Sequence, residues 1–334
     1  MNSTNVVWDR ESGISILERP VPEPKAHEIV IRVDASGLCG TDLHIASGEY
    51  PLAQSGATLG HEYAGTVVAT GSNVDIWREG DRVVVDPNIP CQQCRACREA
   101  KSHLCSDPQT LGVTIDGGLA TYSVLPANRA YRIPDSLPMK AAALTEPLAC
   151  VVHAVDRSGI KPGQSALVIG AGPIGLLTAS LLAAAGASEV IVSEPNDLRR
   201  GLVSTFGGTP VLPADVPADT FDVVMECVGR PATLAAAIPA VRAGGTVVWV
   251  GVAAPHDTVG VNPYDIFRRE ITIRGTYTNP YTMDRSIALL ASGQIPWQET
   301  ISHQFGLDRW DDAWEIHRTG AGLKVCVLPN GTGA

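Results

Sequence analysis

The sequence predicts an α/β chain in two parts. A mostly antiparallel β domain is expected over residues 1–155, completed by 292–334, and a doubly wound parallel-sheet domain over 156–291. Three observations carry this expectation. The first part holds short β-branched runs broken by Gly, Pro and Asp, the pattern of irregular antiparallel strands. From about residue 160 apolar strands alternate with Ala/Leu-rich helices, which places helices on both faces of a parallel sheet. The 334 residues suffice for two ordinary cores, and the tail after residue 292 is too short for a third, so it is expected to return to the first domain.

In order, the expected strands of the first part are EIVIRVD (28–34), AGTVVAT (64–70), GDRVVV (80–85) and LATYSVL (119–125). In the second part come the strand SALVIG (165–170), the helix PIGLLTASLLAAAG and the strand EVIVSE (189–194). The strands FDVVMECVG, GTVVWVG and ITIRGTY follow, then a helix over TMDRSIALLASG. The tail carries Trp297, Trp310 and Trp314, and its His303 is read as structural.

Composition narrows the function classes. At 45% hydrophobic and 18% charged the chain is globular, and a net charge of -10 repels nucleic acid and anionic membrane surfaces. The N-terminus lacks a basic stretch followed by an apolar core, and no segment reaches the ~18 unbroken apolar residues of a membrane span. A cytoplasmic protein is expected, and in a reducing compartment clustered cysteines bind metal more readily than they pair.

Four of the eight cysteines fall in CQQCRACREAKSHLC. Cys91, Cys94, Cys97 and Cys105, spaced C-x2-C-x2-C-x7-C, can close a tetrahedral shell around one zinc ion, leaving no position for substrate. The alternatives are unrelated thiols or an iron-sulfur cluster, which this spacing suits less well. A second motif is GAGPIG, with Gly170, Gly172, Pro173, Ile174 and Gly175 between an expected strand and helix, and with Glu194 at the end of the next strand. That context is the dinucleotide fingerprint: the glycines admit the pyrophosphate, and a carboxylate at Glu194 accepts from ribose hydroxyls and repels a 2′-phosphate, favouring NAD. A tight strand-to-helix turn is the plainer alternative.

The third signal is dispersed over CGTDLH (39–44), GHE (60–62) and TEPL (145–148). A thiolate, an imidazole and one or two carboxylates are the ligand set of a catalytic zinc with an open position, from Cys39, His61, Glu62 and Glu146. Singly, each triplet reads as structural background. The segments around Cys227, Val228 and Val250, Gly251, Val252 end expected strands on the side of the sheet where ligands bind, or are ordinary strand-end packing.

The order of these motifs resembles the zinc-dependent medium-chain dehydrogenase/reductase superfamily over nearly the whole chain. The resemblance implies a GroES-like catalytic domain and a Rossmann cofactor domain, two zinc ions per chain, NAD, and a homodimer or homotetramer. Glu146 in an E-P-L context looks like the polyol (sorbitol, xylitol) dehydrogenases, with threonine dehydrogenases alongside, and Cys150 is its one competitor as ligand. By the same resemblance Thr41 takes the substrate hydroxyl's proton and His44 passes it on, the plainer readings being a turn residue and a surface histidine. Asp42 orients a ligand imidazole, and Thr276 and Tyr277 lie near the carboxamide of the nicotinamide, ordinary strand-end packing being the plainer reading; Arg199 and Arg200, close to Glu194 in sequence, can hold a 2′-phosphate once that carboxylate is replaced. The expected activity is oxidation of a secondary hydroxyl of a polyol to a ketone. L-threonine or amino-cyclitol oxidation is the alternative within the fold, and a non-catalytic zinc-bound scaffold is the alternative outside catalysis.

Overall fold

The computed structural model describes residues 1–331, and by contacts the chain divides into two units. Unit 1 comprises Met1–Glu146, Met283–Ala291 and the segment from Ile301 onward; unit 2 comprises Pro147–Thr282 and Ser292–Thr300. The division falls at 146/147, inside the first turn of the helix Thr145–Ser158, whereas the sequence put it near 155. Segment 283–291 goes with unit 1 and 292–300 with unit 2, an exchange that hydrophobic pattern alone does not reveal.

Unit 1 is built on a seven-stranded, mostly antiparallel sheet. Its path runs Ile301–Gly306, Lys324–Leu328, Glu28–Gly37, Glu62–Thr70, Arg82–Val85, Ala130–Arg132, with Tyr122–Pro126 also paired to Glu28–Gly37. Alternating residues of Glu28–Gly37 and its neighbours bury Ile29, Ile31, Val33, Val67, Val83 and Leu125 in one cluster. A second cluster joins Leu38, Ile45 and Leu59 to Trp310, Val325 and Val327 of the C-terminal segment. An N-terminal hairpin, Asn2–Asp9 with Gly13–Pro20, was not expected from the sequence.

Unit 2 holds a six-stranded, all-parallel sheet in the order Thr209–Val211, Glu189–Ser193, Ser165–Ile169, Phe221–Glu226, Val241–Trp249, Thr272–Gly275. The order reverses beside Ser165–Ile169, and ligands bind at such a switch point, off the C-terminal ends of the strands. Leu167, Ile169, Ile191, Phe221, Val224 and Val247 form the core of the sheet. The helix Pro173–Ala184 starts directly off the Ser165–Ile169 strand and is buried along most of its length, from Gly175 to Leu182. No helix among the described residues is long and apolar enough to cross a membrane.

Candidate metal and cofactor sites

Strand register assembles the dispersed ligands. Gly37 pairs with Glu62 across two antiparallel strands, and Cys39, two residues past Gly37, is the N-cap of the helix Gly40–Ala46. Ligand atoms of Cys39, His61 and Glu62 lie within 4.8 Å of one another, with His61 and Glu62 buried. The Cys39 main-chain N–H donates to Asp42 Oδ2 at 2.8 Å. Asp42 is wholly buried, and its other oxygen faces His61 Nδ1 at 3.8 Å; neither atom has a hydrogen-bond partner. A carboxylate facing Nδ1 fixes the tautomer that presents Nε2 to a metal.

The electrostatics suit a cation. Burial works against charge on His61, yet the Cys39 thiolate, Asp42 and Glu146 hold its proton well above the usual histidine range. Burial raises the Asp42 carboxyl, with His61 opposing. Glu146 is buried in the first turn of Thr145–Ser158 and is pushed up to about 7 by burial, with Glu62 and Asp86 adding to the rise. A thiol, an imidazole and three carboxylates in one buried region form the donor set of a divalent ion. Glu146 lies outside the 4.8 Å cluster, so Glu62 is the carboxylate brought to Cys39 and His61. Cys150, one helical turn beyond Glu146, belongs to neither ligand group.

A pH dependence follows. The unfolded chain ionises Glu146 from its ordinary 4.5, while the folded chain keeps the proton to about 7. The raised His61 likewise binds its proton more firmly when folded. Protein stripped of this metal therefore loses stability as pH rises from 4.5 through 7, by at most about 3 kcal/mol from Glu146. A bound cation compensates these charges, so the gap in unfolding temperature between loaded and stripped protein widens from pH 5 to pH 7.5. Calorimetry of both forms checks this.

Thr41 Oγ1 is 3.7 Å from Cys39 Sγ, so the structure brings Thr41 to the cluster. His44 sits in the last turn of the same helix, where its Nδ1 is 3.3 Å from Glu49 Oε2. Two residues went unread in the sequence. His317 Nε2 is 2.9 Å from the Cys39 carbonyl, and Lys324 Nζ donates to both Glu62 oxygens. The signal for Lys324 was available: a lone cation opening the apolar strand KVCVL. His303 stacks on Phe305 and meets Ser302, consistent with a structural place.

The four cysteines of the loop bring their sulfurs within 4.8 Å of one another, with Cys94 to Cys97 at 3.5 Å and Cys94 to Cys105 at 4.0 Å. Sulfurs at the corners of a tetrahedron around zinc stand about 3.8 Å apart, so the set fits that ion. Main-chain N–H groups of Cys97 and Ser106 draw Cys94 down to about 6, while partial loss of water contact and the neighbouring sulfurs push Cys97 up to about 12. Four thiolates this close need a cation.

In unit 2, Gly170 turns the chain with φ +97, and Gly172 is the N-cap of Pro173–Ala184, with Pro173 and Ile174 in its first turn. A Cβ on Gly175 would fall 1.9 Å from the Gly170 carbonyl oxygen, so the helix packs on the strand only with glycine there. At Gly172 a Cβ would meet nothing within 4 Å, and no side chain caps the helix. An open, uncapped helix N-terminus fits the pyrophosphate of a dinucleotide. Glu194 is buried and accepts from Ala171 N–H at 2.7 Å and Asn196 N–H at 2.9 Å, so it also braces the glycine loop.

Arg199 lies half-buried on the helix Asp197–Leu202, and Arg200 is tied to the carbonyls of Glu194 and Pro195. Glu226, also unread, lashes two loops together. Its carboxylate accepts from Val228 and Gly229 N–H, and its carbonyl from Val250 and Gly251 N–H. Cys227 is thereby placed beside Ile169, while Val228, Val252 and Tyr277 expose apolar surface. Thr276 keeps a buried hydroxyl with no hydrogen-bond partner, suited to a ligand amide.

Comparison with known proteins shows the family. Residues 25–135 match the alcohol dehydrogenase GroES-like domain and residues 173–292 the zinc-binding dehydrogenase domain. A D-altritol 5-dehydrogenase of Agrobacterium fabrum is 37% identical over 89% of this chain and 91% of its own. The chain is a zinc-dependent medium-chain dehydrogenase. This dehydrogenase is also 35% identical to an L-threonine 3-dehydrogenase of Thermococcus kodakarensis, over 95% of each chain. A zinc-binding dehydrogenase of Sinorhizobium meliloti, crystallised with NADP, superposes with TM-score 0.95 at 36% identity, covering 98% of this chain and 100% of its own. The expected GroES-like and Rossmann architecture of the dehydrogenase is thereby borne out.

Proposed function

We propose that the dehydrogenase oxidises a secondary hydroxyl of a polyol or sugar alcohol to a ketone, reversibly, with NAD as hydride acceptor. The observation that carries the reading is the convergence of Cys39, His61 and Glu62 within 4.8 Å, with Glu146 buried nearby. We assign one zinc to these four residues and a second, structural zinc to Cys91, Cys94, Cys97 and Cys105. When bound, the catalytic zinc supplies Lewis acidity to a substrate oxygen and NAD supplies the hydride acceptor. Asp42 holds the His61 ring, Thr41 receives the substrate hydroxyl's hydrogen bond, and His44, paired with Glu49, passes the proton to solvent.

A site rich in carboxylates favours vicinal hydroxyls over an aliphatic chain, and the D-altritol relative acts on a polyol. The threonine relative supports the second reading, in which the fold and cofactor stay and the substrate is L-threonine or an amino-cyclitol. Specificity constants for sorbitol-, xylitol- and arabitol-type substrates, threonine and 2-butanol decide the matter. Each substrate hydroxyl that pairs with a buried group is worth about 1–3 kcal/mol, so 2-butanol is expected to fall behind the best polyol by at least tenfold. Threonine or 2-butanol exceeding every polyol overturns the substrate assignment.

Glu194 supports NAD over NADP, although the Sinorhizobium protein holds NADP. Glu194→Ser is expected to raise the NADP-to-NAD ratio of kcat/KM at least tenfold, with the Arg200 guanidinium, bonded to the Glu194 carbonyl, close to the new space. NAD activity itself falls, because Ala171 N–H loses its buried acceptor. An unmodified protein that uses both cofactors equally contradicts the role of Glu194. A homodimer or homotetramer is the assembly the family resemblance implies. A cytoplasmic setting fits eight cysteines that form no disulfide.

A further inference from the structure

The outer face of the unit 1 sheet carries a cationic groove that the metal and cofactor sites do not use. Strand register builds it. Thr66 pairs with Arg32 on one side and with Arg82 on the other, so the three side chains form a row on one face, with about 10 Å between the two arginine Cβ atoms. Their neighbours Ile31, Val33, Val67 and Val83 turn to the core on the opposite face. Pro138, Met139 and Lys140, with Leu328 and Asn330, complete the walls of a concavity of about 470 Å³. Sites that hold small organic molecules run to roughly 300–1,000 Å³.

Three cations line this groove against one carboxylate, Asp34, in a chain whose net charge is -10. That carboxylate is already committed: its Oδ1 accepts from Arg32 Nε at 3.0 Å and its Oδ2 from Thr66 Oγ1 at 2.7 Å. Arg82 donates to the main-chain carbonyls of Pro134, Asp135 and Leu137 at 3.2, 2.8 and 2.6 Å, and Lys140 to the neutral amide of Gln304 at 2.9 Å. Neither is paired with a carboxylate among the described residues. The three carbonyls hold the Arg82 guanidinium still and leave two of its five N–H groups free, with two more on the Lys140 ammonium. Two uncompensated positive charges in a preformed hollow bind an oxyanion with little ordering cost.

We propose that this groove binds a small organic oxyanion carrying two or more negative charges, a phosphate monoester or a polycarboxylate. Thr66 lies four residues past Glu62 on the same strand, about 13 Å at 3.3 Å per residue, so the groove is a ligand site apart from the metal cluster. The zinc reading stands or falls separately.

The test is titration calorimetry of the full chain, zinc-replete and saturated with NAD so that the glycine loop is filled, with glycerol 3-phosphate and separately with tricarballylate. One anion per chain is expected. Lys140→Glu and Arg32→Met are each expected to weaken binding at least tenfold, whereas Lys161→Glu, the same charge change on an exposed lysine of unit 2, shifts it less than twofold. Both groove residues are bonded to one side chain each, so the variants are expected to fold, and circular dichroism checks that they do. Tighter binding of glycerol 3-phosphate assigns the groove to phosphate esters and tighter binding of tricarballylate to polycarboxylates; either upholds the oxyanion site. Binding of neither probe at millimolar concentration overturns the proposal. An equal loss in Lys161→Glu also overturns it, because overall charge then explains the effect. Binding indifferent to both groove variants does the same, because the anion then sits elsewhere.

Discussion

Replacing His61 by Ala is expected to lower kcat/KM for the preferred substrate by on the order of a thousandfold or more, and to reduce the metal content from two ions per chain to one. The imidazole is buried between Cys39 and Asp42, and without it the site keeps the Cys39 thiolate and the Glu146 carboxylate, because Lys324 already holds both oxygens of Glu62. Two ligands do not retain an ion that ordinarily takes three from the protein. The fold is expected to survive, because the strands around Glu62 are held by the hydrophobic cluster of Ile31, Val33, Val67 and Val83. Metal analysis after zinc-replete purification, with circular dichroism on the same sample, checks both halves. An active His61→Ala variant, or a parent with one ion per chain, removes the catalytic assignment. Asp42→Asn is the milder companion: it keeps the ligand and loosens the ring, at a cost of about ten- to a hundredfold in metal affinity or activity.

The parts that were legible in the sequence share a physical cause. Ser165–Ile169, Glu189–Ser193 and Phe221–Glu226 are buried on both faces and read as apolar runs, and the glycine loop between strand and helix has few alternatives. Metal ligands of fixed chemistry at short spacing were visible for the same reason. What was not legible depends on pairings distant in sequence. The helix Pro231–Ala240 carries prolines at its first position and near its end, which mask its period. The strand Lys324–Leu328 is central in the sheet only because it pairs with Ile301–Gly306 on one side and Glu28–Gly37 on the other. Lys324 and His317 meet Glu62 and Cys39 from more than 260 residues away, so a local pattern can mark Lys324 as a cation in an apolar strand but names no partner for either residue. Glu226 lies in FDVVMECVG, whose pattern reads as strand alone, because accepting N–H groups from two loops at once leaves no local pattern.

Replacing Cys97 by Ser is expected to release the loop 91–105 while sparing the chemical step. None of the residues from Cys91 to Cys105 is buried, and neither its short helix Arg95–Arg98 nor the turn Ser102–Leu104 has a core-facing side chain. The loop therefore has no hydrophobic reason to hold its shape. Gln92 and Ala100 adopt φ of 62 and 58, left-handed backbone that neither residue favours. A structural zinc contributes on the order of 10 kcal/mol to the folding of small metal-bound units, far more than the single ladder of Asn88–Ile89 with Gln109–Thr110 at the loop's base. The metal wins that comparison, so weakening its shell opens the loop first. Trypsin sites at Arg95, Arg98 and Lys101 then become accessible, with cleavage faster by roughly a hundredfold. Glu62 opens a strand with His61 just before it, and Cys39 caps a helix, all packed elsewhere in unit 1, so kcat in the intact fraction stays within about threefold of the parent. Limited proteolysis followed by kinetics on the uncleaved protein separates the two effects. A variant whose loop stays protected while turnover collapses would show that the cysteine metal takes part in the reaction, and that the division between structural and catalytic ions drawn here is wrong.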